Sequence, residues 1–139
     1  MKAKICAAAG IVGSGILSLL GGWDHSLESL LIFIAVDYIT GLIVAGVFHK
    51  SNKTSTGSLE SKAGFKGLVR KCMILVFVML AHRLDMEIGS DYVRTCVIIG
   101  FIVNETISIF ENAGLMGVKF PPVIKNALDI LQKKGEQTK

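Results

Sequence analysis

The chain has 139 residues, a mean hydropathy of +0.57, 51% hydrophobic content before its 15 glycines are counted, and a formal net charge of +4. An ordinary soluble domain is about 45–50% apolar with Gly included, so the composition excludes one. Two prolines and few low-complexity stretches exclude a disordered chain, and the length suits a single domain. The expected class is an all-α integral membrane protein, with residues 1–139 as one membrane domain.

Four segments approach the roughly 20 apolar residues that cross about 30 Å of hydrocarbon. The first span, about 5–21, carries "ICAAAGIVGSGILSLL". The "MKAK" before it imitates a secretory signal, but cleavage after Gly21 or Gly22 would place Leu19 or Leu20 at the −3 position, which wants a small residue. A retained helix is therefore expected; without it, three spans remain. Its "GIVGSG" lacks the strand before and the Lys-Ser/Thr after that a phosphate loop needs. Gly10, Ser14 and Ser18, with Ala9 and Gly13, instead form a small-residue face for close helix packing.

The second span, about 29–48, carries Asp37 near mid-membrane, where a charge costs about 2.5–3.5 kcal/mol on insertion scales. Gly41 and Ala45 follow at i+4 and i+8 with Thr40 beside them. This face lets another helix approach and hydrogen-bond the carboxyl. A structural clasp and a water-exposed, proton-sensitive group are equally good readings of it. A basic cytoplasmic loop, 49–67, follows, and its cationic stretch holds Lys62, Lys66, Arg70 and Lys71. The third span, 68–84, centres on "CMILVFVML" and reaches spanning length only if Arg70, Lys71, His82 and Arg83 snorkel.

The fourth span, 92–111, is the most unusual. Gly100, Asn104, Ser108, Glu111 and Asn112 lie near one helical stripe, with Glu105 on its shoulder. Lipid offers no hydrogen bonds, so the strip must face a partner helix or water. A self-association face or a pore lining is favoured over a single packed acid. The chain closes with an amphipathic helix and basic tail, 121–139. Pro121 and Pro122 suit its first turn. Ile124, Ala127, Leu128 and Leu131 fall opposite Lys125, Asp129 and Lys133, a pattern that lies on an anionic membrane surface.

Charge orients the whole. With four spans, 13 of the 15 Lys and Arg residues fall on one side, so both termini of this multi-pass chain are expected in the cytoplasm. The scattered Cys6, Cys72 and Cys96 and the dispersed His25, His49 and His82 give no disulfide framework and no metal-ligand spacing. No catalytic set can be assembled, and the basic loop has no aromatic interleaving for nucleic acid. No enzyme activity, cofactor, metal or nucleic-acid partner is expected.

In order along residues 23 to 134, "DYITG" (37–41), "SKAGFKGLVRK" (61–71), "AHRLD" (81–85), "NETISIFENAG" (104–114) and the prolines 121–122 resemble the phage lysis and toxin-secretion holins. The resemblance implies a protein that accumulates in the cytoplasmic membrane and oligomerises with itself. It would then open lesions that release an endolysin or a large protein toxin, with no direct contact to that cargo required. Two other readings stay open: a small proton-coupled transporter using Glu105 as a shared proton and substrate site, and a non-conducting membrane adaptor. Against the transporter stand the one-sided charge and Phe101 as the single aromatic within a turn of Glu105.

Overall fold

The computed structural model describes residues 1–137; Thr138 and Lys139, the end of the expected tail, lie outside the described residues. The described residues form five helices and no strand: α1 (Lys2–Leu19), α2 (His25–Gly46), α3 (Ser61–Ile88), α4 (Val93–Leu115) and α5 (Pro122–Gln137). The protein is an all-α membrane protein. By length and composition α1, α2 and α4 can cross a membrane. At 28 residues, or about 42 Å, α3 has the length but not the hydropathy. Charged residues crowd both of its ends and leave only residues 72–81 free of them.

The start of α3 departs from expectation. The sequence pattern places residues 61–67 in the loop, yet Lys62, Lys66, Arg70 and Lys71 are all helical. The apolar run ends near residue 72, but a helix need not end where apolarity does, and Ala63, Leu68, Lys and Arg are good helix formers. The true connection, residues 47–60, is shorter and folds on itself. Ser51 N–H donates to the Gly57 carbonyl at 2.9 Å, and the Thr54 hydroxyl donates to the Ser58 carbonyl at 3.0 Å.

Local chemistry marks the other boundaries. Asp24 caps α2 by accepting the Leu27 N–H at 2.8 Å. Gly89, at φ +67°, ends α3 in the left-handed conformation that glycine adopts without penalty. Buried positions then recur at spacings of three, four and seven: Leu27, Leu30, Asp37 and Val44 on α2; Ile74, Val78, Ala81 and Asp85 on α3; Ile98, Glu105 and Asn112 on α4. That is the seam of a helical bundle, and the charged residues occupy ordinary positions in it.

An apolar core lies toward one end of the bundle, and buried polar clusters occur at both ends. Leu20, Leu27, Leu30, Ile74, Val78 and Ile98 form its core near the α1–α2 turn. Arg94, at the start of α4, meets Asp24, at the start of α2, while Asn112 of α4 meets Asp37 and Thr40 of α2. These pairings make α2 and α4 run in the same direction, with α3 as the return. Helix α1 buries no residue and joins the core only through Leu17 and the following Leu20. Helix α5 turns back on α4, with Phe120 edge-on to Phe110 at 5.1 Å and Gln132 Nε2 donating to Glu111 at 3.2 Å.

Candidate functional site

Asp37 lies twelve residues into α2, and Glu105 twelve residues into α4, so each sits about 18 Å along its helix. Between them comes Lys71 of α3, whose ammonium donates to both Asp37 Oδ2 and Glu105 Oε2. Asp37 is 2% exposed, Glu105 1% and the Lys71 side chain 15%, so all three charges are held inside one chain. Asn112 completes the group. Its amide nitrogen faces Asp37 Oδ1 at 3.1 Å, the Asp37 carbonyl at 3.3 Å and Thr40 Oγ1 at 2.9 Å. Among the described residues, no buried side-chain polar atom is left without a partner. This matters because an unpaired buried charge costs several kcal/mol, about as much as the fold of a small protein can spare.

The residues singled out in the sequence divide between the cluster and its surroundings. Asp37, Glu105 and Asn112 are in it, and Thr40 supports it by donating to the Asp37 carbonyl at 3.0 Å. A Cβ on Gly41 would stand 3.7 Å from Asn112 Nδ2, so the small residue admits α4; Ala45 is buried one turn on. By contrast Gly100, Asn104 and Glu111 are exposed and Ser108 is half-buried. The buried seam of α4 runs through Ile98, Glu105 and Asn112, one residue round from the stripe of most polar and small groups. On that flank a cleft of about 660 Å³ opens between α3 and α4. Lys62, Lys66 and Arg70 line one wall, Asn104, Ser108 and Glu111 the other, and it reaches Lys71 and Glu105.

A second polar cluster, at the other end of the bundle, was not singled out from the sequence. Arg94 is 7% exposed. Its guanidinium donates to the Leu20 carbonyl at 2.5 Å, the Gly22 carbonyl at 3.2 Å and Asp24 at 2.6 Å. Asp85 accepts the Val93 and Arg94 backbone N–H groups at 3.0 and 2.8 Å, and also the Ser90 hydroxyl, so the end of α3 caps the start of α4. The Arg94 guanidinium holds the Asp24 carboxyl below its ordinary value, outweighing the opposing effect of partial burial. Asp24 and Arg94 are 70 residues apart. The only local signal is an acid just before α2 and a base in the first turn of α4, which the folded bundle brings to the same end.

Among the described residues no group of three or more His, Cys, Asp or Glu is placed to hold a metal ion. The arrangement can do something else: it holds two carboxyl groups on one shared ammonium inside an apolar bundle, beside a polar cleft. A family model described as the bacteriophage holin family matches residues 14–133, which takes in α2 to α4 and most of α5. The chain belongs to that family. A probable holin of Bacillus phage phi105 is 31% identical over 112 residues, covering 80% of this chain and 77% of that protein. An uncharacterised protein of Halalkalibacterium halodurans is 37% identical over the full length of both. A 14.9 kDa protein of Clostridium perfringens, described only by its place in the nagH 3' region, is 39% identical over 90% of this chain and 92% of its own. No solved structure matches. Holin family membership implies a role without catalysis.

Proposed function

We propose that the protein is a holin that accumulates in the bacterial cytoplasmic membrane, self-associates, and opens lesions through which an endolysin or a large protein toxin leaves the cell. The observation that carries this reading is the Asp37–Lys71–Glu105 cluster. Three charges in the middle of an apolar bundle are tolerated while they pair within one chain. Pulling α3 away from α2 and α4 exposes all of them together, and they then require water or another subunit. A closed and an open arrangement of the same sequence follow, with the cluster as the latch between them.

In this reading α3 is the fourth crossing. Helices α2 and α4 run the same way, so the chain must return through the same thickness, and α3 is the one helix between them. Low hydropathy does not forbid this, because Lys71 is turned into the bundle and Lys62, Lys66 and Arg70 sit at one end. With α1 as a further crossing, both termini lie on the side of the basic α2–α3 connection, the cytoplasm.

The test is induction in bacteria with and without a muralytic enzyme that has no export signal, following membrane potential and culture density. Lysis only when both are present, with an abrupt loss of potential, is expected. A preserved potential, with no release of the enzyme, would overturn the reading.

A further inference from the structure

Lys62, Lys66 and Arg70 stand at i, i+4 and i+8, so one face of α3 carries three cations in a row, all lining the cleft against α4. Like charges four apart on a helix repel, and the first turns of a helix, with their unpaired N–H groups, are the worst place for cations. No carboxylate among the described residues lies within ion-pair distance of any of the three. Of the acids facing the cleft, Asp37 and Glu105 are bonded to Lys71, while Glu60 and Glu111 accept from the neutral Thr56 hydroxyl, at 3.3 Å, and Gln132 amide; they keep their charge but are outnumbered by Lys53, Lys62, Lys66 and Arg70. Against these cations the cleft also presents Ile74, Phe101 and Ile107, so its lining is apolar as well as basic.

We propose that this cleft is a binding site for the phosphate headgroup of an anionic phospholipid, with Lys62, Lys66 and Arg70 as the phosphate ligands. The site lies between two membrane helices at the end of the bundle where the basic connection sits, so the phosphate enters from the leaflet on that side. Ile74, Phe101 and Ile107 then receive the upper part of an acyl chain. The polar hydrogens of Asn104 and Ser108 face the headgroup from α4. A free phosphate offers the same charge, but nothing to cover the apolar wall. The site rests on the α3–α4 geometry and on the proposed reading of α3 as a membrane crossing, and does not require that the chain opens lesions.

Full-length protein in zwitterionic detergent is titrated with short-chain phosphatidylglycerol, with phosphatidylcholine, and with inorganic phosphate, reading retained lipid by native mass spectrometry and thermal stability by circular dichroism. Phosphatidylglycerol should be retained and raise the melting temperature, while the other two should do neither. Each of Lys62→Gln, Lys66→Gln and Arg70→Gln should weaken retention about fivefold, from the roughly 1 kcal/mol that a cation contributes near an anionic surface. All three residues are exposed, so the variants keep the fold. A Lys2→Gln/Lys4→Gln variant at the exposed start of α1 controls for general basicity and should bind as the wild type does. Equal retention by the α3 variants, or equal loss in the α1 control, would overturn the site. Stabilisation by inorganic phosphate to the same degree would overturn its assignment to lipid.

Discussion

Replacing Lys71 by Met keeps the length and apolar stem of the side chain and removes one positive charge. Asp37 and Glu105 are then left facing each other at 2% and 1% exposure. Asp37 keeps the Asn112 amide at 3.1 Å, whereas Glu105 loses the ammonium that neutralised it. Breaking a buried ion pair from one side costs about 3–5 kcal/mol, and the burial of both acids places this pair in that class and not among surface bridges. In a chain of this size such a loss lowers the melting temperature by roughly 10–20 °C. The assay is thermal unfolding of the full-length protein in micelles, followed by far-ultraviolet circular dichroism. The triple variant Asp37→Asn/Lys71→Met/Glu105→Gln removes every charge together and should recover most of the loss, because no ion is left unpaired. A Lys71→Met protein that melts with the wild type would refute the reasoning. So would a triple variant as unstable as the single one.

Glu105→Gln and Asp37→Asn each weaken one side of the latch, and a charge crossing the membrane field feels about 2.3 kcal/mol per 100 mV. Both should shift the time at which an induced culture loses its potential, and unchanged timing in both contradicts a latch. Gly21 has φ +89°, and a Cβ there would lie 2.6 Å from Arg94 Nε, whereas Gly22 has φ +86° and open space. Gly22→Ala should cost about 1–2 kcal/mol of backbone strain, and Gly21→Ala measurably more in the same melt. The depressed Asp24 carboxyl stabilises the α1–α2 turn above its unfolded value of 3.8 and loses that contribution as the pH falls further, through its folded value. Melts at pH 5, 4 and 3 should therefore fall more steeply for the wild type than for Asp24→Asn.

Much of this architecture was legible in the sequence, and the reason is hydropathy. The apolar runs within 5–21, 29–48, 68–84 and 92–111 overlap α1 to α4, and the amphipathic stretch after Pro121 falls on α5, because such a run or periodicity is a property of neighbouring residues. Asp37 and Glu105 were visible for the same reason, as carboxylates in the wrong company. What could not be read was the partner. Lys71 is 34 residues from each acid and stood in the sequence as one more cation at the edge of a basic stretch. Its role depends on the helix starting at Ser61 and on the rotation of α3, neither of which hydropathy encodes. The same holds for α4, where the polar stripe suggested a face centred on Asn104 and Ser108. The packed face is turned toward Glu105 and Asn112, because the groups that satisfy them come from α3 and α2.

In the proposed function the closed bundle becomes a lesion wide enough for a folded protein. The most direct measurement reconstitutes the full-length protein into phospholipid vesicles loaded with a folded muralytic enzyme and raises the protein-to-lipid ratio stepwise. The account predicts all-or-none release of active enzyme above a threshold density, with the threshold lowered by Glu105→Gln. Leakage of small ions with the enzyme retained at every density would contradict it.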